Sequence, residues 1–209
     1  IVAYFIISFD LYFLYKALST TYFALLSYRS ILLHMKIPYF KKLALLKGSD
    51  EIKHIIIVPN FKEPLYKLES TINSVTKSDY PYKNIYLALA FEKREPGVKN
   101  KAFILQEKFK HNFAGVFVAF HKLLSHETPG KASNQSFAAK IIDRYVEKNN
   151  WKRENILVTI CDSDSSLPKN YFSYLTYEYL LDKNRLYHFY CAPVLLYNNF
   201  WKLPFFVRI

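Results

Sequence analysis

From residue 52 onward the chain alternates short, β-favouring apolar runs with longer stretches of helical periodicity, and this alternation limits its fold more than any other feature. Strand-like runs fall at 54–58, 85–91, 115–120, 156–161 and 187–196, and helix-like runs at 64–75, 98–111, 131–149 and 169–181. Strands separated by helices pair in parallel through crossovers, so the pattern predicts an α/β domain with a mainly parallel sheet flanked by helices. Leu65, Leu68, Ile72 and Val75 mark the inward face of the first helix, and Phe137, Ile141 and Tyr145 that of the third. The run 156–161 is apolar apart from the β-favouring Thr159, as expected of a strand covered on both faces.

That last run leads straight into Asp162 and Asp164, with Pro168 closing the turn. In open α/β sheets ligands collect outside the carboxyl ends of the strands. Two carboxylates this close repel unless a hard cation such as Mg²⁺ or Mn²⁺, often shared with a substrate phosphate, offsets their charge. An EF-hand loop would need Gly at its sixth and Glu at its twelfth position, where this chain has Leu167 and Ser173. An aspartyl phosphatase carries its Asp-x-Asp after the first strand of its domain, whereas three strand-like runs precede this one. The plainer alternative is an Asx-turn that caps the helix after Pro168.

Three more segments fall at strand ends or at the helix that follows: VPNFKEP (58–64), FEKRE (91–95) and GKASNQ (130–135). With CDSD (161–164) they share one sheet edge. Lys131 beside a helix N-terminus suits a diphosphate, and a glycine turn with a surface lysine is the plainer reading. Glu63 could equally stabilise the first turn of its helix.

The four glycines, Gly48, Gly97, Gly115 and Gly130, allow neither G-x-G-x-x-G nor a P-loop, and no G-x-S-x-G elbow is present. A net charge of +12 with 18% aromatic residues would suit nucleic acid, an anionic membrane or a phosphorylated substrate. The basic residues are scattered and no nucleic-acid-binding motif occurs, so nucleic acid is not expected as a partner. Cys161 and Cys191 lie in apolar strand-like runs and read as small buried hydrophobes of a reducing compartment. His121 and His126, the nearest histidine pair, read as part of a solvated loop without metal-ligand spacing.

Residues 1–33 form an aromatic-rich apolar segment interrupted only by Asp10, Lys16 and Arg29. As a helix it would measure about 50 Å, against a hydrocarbon core of about 30 Å. It reads as a transmembrane helix, with an interfacial helix or a soluble core helix as alternatives; a signal peptide would show a basic n-region and a cleavage site. Residues 34–53, with Lys36, Lys41, Lys42, Lys47, Lys53 and the helix-breaking Pro38, read as a basic juxtamembrane linker that marks the cytoplasmic side. Residues 54–209 then form the folded domain. The chain starts at Ile1 rather than Met and ends in the apolar run 203–209, so both ends are expected to continue in a longer protein.

Together the four segments resemble family 2 glycosyltransferases, the inverting enzymes of the GT-A fold, and residues 52–197 match that family's nucleotide-sugar half in order and spacing. The preceding apolar helix resembles its membrane-anchored, cellulose- and hyaluronan-synthase-like members. The resemblance implies a GT-A nucleotide-sugar-binding domain that transfers a sugar from a nucleotide-diphospho-sugar, a UDP-sugar first among them, to a saccharide or lipid-linked acceptor hydroxyl with inversion. It places Pro59, Asn60 and Glu63 against the nucleoside, Glu92 near base and ribose where the family usually has Asp, Lys131 at phosphate or sugar, and Asn134 beside the donor. Asp162 and Asp164 match the family's DxD and would hold Mg²⁺ or Mn²⁺, Asp164 as the direct ligand. The general base and a Gln-x-x-Arg-Trp motif would follow Ile209, so this chain alone is expected to be inactive. Alternatives are a nucleotidyltransferase-like nucleotide-sugar enzyme and a non-catalytic membrane-associated scaffold of the same fold.

Overall fold

The structure is a computed structural model and describes residues 1–124, 127–128 and 130–194. It divides into two compact units, one built on Ile1–Ile37 and one formed by Pro38–Leu186. In the first, α1 (Val2–Lys36) runs for 35 residues without a buried side chain. Phe5, Phe9 and Phe13 meet in tilted contacts at successive i,i+4 positions, their ring centroids 6.2 and 4.4 Å apart. By length and composition α1 can cross a membrane. An apolar surface on all sides belongs to a buried helix or to one in lipid.

The second unit is a parallel four-stranded sheet, β1 (Lys53–Asn60), β2 (Ile85–Glu92), β3 (Gly115–His121) and β4 (Ile156–Ile160), in the order β3-β2-β1-β4. It carries α2 (Tyr39–Leu43), α3 (Leu65–Thr76), α4 (Val98–Phe109), α5 (Lys131–Lys148) and α6 (Tyr171–Leu181). Alternation along β1 divides the core. Ile56 and Val58 pack with Leu87, Leu89 and Phe91 under Leu68 and Ile72 of α3, Leu105 of α4 and Phe172 of α6. Ile55 and Ile57 pack with Ala88, Ala90 and Ala119 under Ala138, Ile142 and Val146 of α5. The small alanines of β2 and β3 let α5 sit close to the sheet, which a row of leucines would prevent. The expected linker 34–53 is structured in part: Pro38 interrupts the helix, and Tyr39 and Leu43 of α2 are buried.

Four expectations change. The stripe Phe137, Ile141, Tyr145 is only half-buried, and the face of α5 is centred one residue further on, at Asn134, Ala138, Ile142 and Val146. Large side chains wrap the flanks of the contact while small ones occupy its centre. The fourth strand is an edge strand open on one face, not covered on both. Val158 and Ile160 lie in register with Ile55 and Ile57, on the side where α5 crosses β1, β2 and β3, and they are 52% and 55% exposed. The expected strand 187–196 does not form over 187–194, and its last two residues lie outside the described residues. A strand exists only as a partner in a ladder, and Pro193 removes one donor. With no sheet around it, Cys191 is exposed instead of buried, while Cys161 is buried as expected.

Candidate functional site

Strand order β3-β2-β1-β4 means that the chain builds outward from β1 and then returns to its other side, so the direction reverses between β1 and β4. A crevice opens at the carboxyl ends beside such a switch point. Here it is a cleft of about 460 Å³ lined by Pro59, Asn60, Phe61, Glu63, Glu92, Arg94, Gly130, Lys131, Asn134, Asp162, Ser163 and Asp164. All eight residues singled out in the four sequence segments line it, together with four that were not.

Each wall has its own support. At the end of β1, Asn60 is buried; its Nδ2 donates to Glu95 Oε2 at 3.2 Å, and its Oδ1 has no partner among the described residues. Lys62 follows with φ of 59°, a left-handed conformation uncommon for a residue with a side chain. Its backbone N–H donates to the same Glu95 oxygen at 2.8 Å, which holds the turn in place. Glu95 is itself buried and paired with Lys101, whose ammonium also donates to the Glu63 carbonyl at 2.8 Å. Glu92, buried at the end of β2, pairs with Arg94, and the Arg94 guanidinium lies 4.9 Å from the Phe61 ring centre. Glu63 also pairs with Lys67 at 3.2 Å, one helical turn away, as the plainer reading of Glu63 allowed.

The opposite wall is α5 and the loop after β4. Gly130, with φ 156° and ψ −176°, takes a conformation essentially reserved for glycine and sets the start of α5. One residue on, Lys131 Nζ lies 2.7 Å from Asp162 Oδ1, joining a cation at the helix N-terminus to the first aspartate. The ladder to β1 extends past β4, Cys161 N–H donating to the Ile57 carbonyl at 2.9 Å. Beyond it, the buried hydroxyl of Thr71 on α3 donates to the Ser163 carbonyl at 2.9 Å, and Leu167 N–H donates to Ser74 Oγ at 3.1 Å. With Ser163 buried between them, Asp162 and Asp164 face outward. Lys67 is held above the usual lysine value first by Glu63 and to a smaller degree by Asp164, so the acidic pair has lysines on two sides. Burial pushes the Cys161 thiol up to about 11, with Asp162 and Asp164 adding to the shift; it stays protonated and is no nucleophile.

This anchoring predicts that Thr71→Val, which keeps the shape and removes the donor, costs about 1–2 kcal/mol. Urea midpoints would show it, and amide exchange at Ser165 and Leu167 should speed up while α5 is unaffected.

One expectation about polar residues is corrected here, that for His121, and Asn134 shares its contact. Asn134 lines the cleft but is buried, and its Oδ1 lies 2.9 Å from His121 Nδ1. His121 is not in a solvated loop: it ends β3, buried, with Nε2 2.9 Å from Glu127 Oε2. Parallel pairing to Glu92 carries the strand one residue further than its apolar run. His126 lies outside the described residues. Glu95 and Lys101 were missed because sequence weighs a carboxylate by its neighbours in the chain, whereas Glu95 meets Asn60 and Lys62 only through the fold. The one signal was its place in an acidic and basic run just before Pro96 and Gly97.

Two exposed aspartates, with no group of three or more His, Cys, Asp or Glu able to hold a metal among the described residues, do not make a closed structural metal site. They do fit an ion of the Mg²⁺ type, which keeps several waters and takes its remaining oxygens from phosphate.

No protein-family model matches the chain, and no curated protein does. Among solved structures, S. aureus TarS 1-349 aligns at 17% identity over 62% of this chain and 32% of that chain, with a TM-score of 0.44. S. aureus TarS 1-349 in complex with UDP-GlcNAc aligns at 20% identity over 62% and 31%, TM-score 0.42. Another S. aureus TarS structure aligns at 19% over 56% and 18%, TM-score 0.40. The chain thus spans about a third or less of each of these structures.

Proposed function

We propose that Pro38–Leu186 is the donor-binding part of a metal-assisted, inverting family 2 glycosyltransferase. One observation carries the reading: Asp162 and Asp164, which suit a cation, and Lys131 at a helix N-terminus, which suits a diphosphate, share a cleft at the switch point with the buried acceptor groups of Asn60 and Glu92. A nucleotide-diphospho-sugar offers the matching parts. Its base and ribose bring N–H and O–H donors for Asn60 Oδ1 and Glu92, and its diphosphate takes the positive end of α5 and the ammonium of Lys131. Asp164 and Asp162 would hold Mg²⁺ or Mn²⁺, which when bound supplies Lewis-acid stabilisation of the departing diphosphate. In the transfer an acceptor hydroxyl oxygen bonds to the sugar's anomeric carbon as the bond to the diphosphate breaks, and the hydroxyl proton passes to a carboxylate base. We assign no base among the cleft's acids, because Glu92 is paired with Arg94, Glu63 with Lys67, and Asp162 with Lys131.

In the same reading α1 crosses the membrane, and the lysines at and beyond its end, Lys36, Lys41, Lys42 and Lys47, keep the domain on the cytoplasmic side.

Titration calorimetry with UDP and Mn²⁺ tests the site. The wild type should bind UDP more tightly with the metal than without it, and Asp164→Ala should lose about tenfold or more in the metal-dependent part. Equal, weak and metal-independent binding by both proteins would refute the enzyme reading and leave a scaffold of the same fold.

A further inference from the structure

α2 presents two unlike faces. Tyr39 and Leu43, one turn apart, are buried, and the Tyr39 ring lies 4.6 and 5.2 Å from the rings of Tyr174 and Tyr177 on α6. The Lys42 ammonium sits 5.5 Å from the ring centres of both Tyr39 and Tyr177 and completes the attachment. The helix is therefore fixed to the domain, and its other face does not take part in that packing. On that face and in the turn after it, Phe40 is 44% and Leu45 85% exposed, beside the exposed Lys41 and Lys47.

Apolar tips among lysines suit one kind of surface. Phe and Leu gain by entering the boundary between headgroups and acyl chains, while lysine stems reach back to the phosphates. Charge agrees: residues 34–53 carry five lysines against Asp50 and Glu51. So does continuity, since only Ile37 and Pro38 lie between α1 and α2. A protein partner would be expected to meet a broader apolar centre with charge at its rim.

We propose that Phe40, Lys41, Leu45 and Lys47 form a foot that docks the domain onto an anionic lipid surface. The proposal rests on α1 being membrane-inserted. Through Tyr39 and Leu43 the foot holds α6, and with it the sheet, at a set orientation to the bilayer.

The test uses the full chain with Cys191→Ser, Cys161 being buried, in bilayers of phosphatidylcholine with or without phosphatidylglycerol. An environment-sensitive fluorophore is attached in turn at Leu45→Cys, at Phe13→Cys in α1, and at Lys140→Cys on the exposed side of α5. In anionic bilayers the Leu45→Cys label should shift to the blue and be quenched by lipid-borne quenchers, while the Lys140→Cys label stays water-like. Each of Lys41→Gln and Lys47→Gln should lower the docked-to-undocked ratio by about fivefold. A water-like Leu45→Cys label beside a quenched Phe13→Cys label overturns the foot and keeps the span. The reverse pattern, a quenched Leu45→Cys label beside a water-like Phe13→Cys label, removes the span on which the proposal rests and overturns it there. A blue shift without phosphatidylglycerol dependence overturns the anionic partner, and one that depends on protein concentration shows that a second protein covers the face instead.

Discussion

Glu95→Ala is expected to lower stability by about 3–5 kcal/mol and to abolish most of the nucleotide affinity proposed above, although Glu95 does not line the cleft. The carboxylate is buried and serves three donors: Asn60 Nδ2, the Lys62 N–H and the Lys101 ammonium. Taking it away leaves a largely buried ammonium without its counter-charge and releases the left-handed turn at Lys62. Breaking a buried pair from one side costs far more than the pair is worth, because the remaining charge keeps its desolvation penalty. Glu95→Gln keeps the shape and one acceptor oxygen but sets an amide NH₂ among donors, so it should fall between wild type and alanine. Urea midpoints at neutral pH read the first effect. UDP titration of folded Glu95→Gln reads the second, through the position of Asn60. Unchanged urea midpoints in both variants would show that Lys101 and Lys62 are held by other contacts.

Lowering the pH from about 6.5 towards 3 should remove a comparable amount of stability through one residue, His54. Its ring is fully buried, with Nε2 2.7 Å from Thr176 Oγ1 and edge-on contacts to Tyr80 and Phe172 at 4.7 and 5.0 Å. Burial pushes its pKa from 6.5 down to about 3, so the folded protein keeps it neutral while the unfolded chain takes up a proton below about 6.5. The unfolded state then binds more protons, and stability falls as pH falls by up to about 1.4 kcal/mol per pH unit. Across the window the loss is on the order of 3–5 kcal/mol, a large share of the roughly 5–15 kcal/mol that holds a domain folded. Carboxylates titrate in the lower part of the same range, so the informative measurement is the difference between wild type and His54→Leu in urea midpoint from pH 7 to 4. The variant should start less stable and lose less on acidification. Parallel curves would mean that His54 is protonated in the folded state.

A reading along the chain gave neither His54 nor Glu95 its role, although Glu95 lies in the segment 91–95. His54 starts a run of isoleucines and reads as one polar interruption; only the packing of α6 over β1 makes it a core residue. The same reading located β1, β2, β3 and α3 to within a few residues, because a strand buried on both faces and a helix buried on one leave unmistakable apolar periods. It also located β4 but misjudged its burial, since that run proved to be an edge open on one face, and it failed at 187–194, where apolar residues found no ladder. Apolar composition states that a segment prefers burial and says nothing of which neighbour provides it. In α5 it gave the period correctly and the centre of the face one residue off, since Phe137, Ile141 and Tyr145 outrank the alanine that lies deepest.

By itself, then, the order of residues determined the α/β alternation, the apolar helix and the four segments at the strand ends, because periodicity and charges at strand ends are local properties of the chain; the eight individual positions within those segments were named from the family resemblance. Only the tertiary structure decided how those positions are supported. The pairs Lys131 with Asp162, Arg94 with Glu92 and Lys101 with Glu95 join different stretches of the fold or a turn to its strand, as does the hydrogen bond from Thr71 to Ser163. The physical reason is distance. A side chain's charge and hydrogen bonds act over a few ångströms in space, and separation along the chain says little about which groups the sheet's parallel crossovers bring that close.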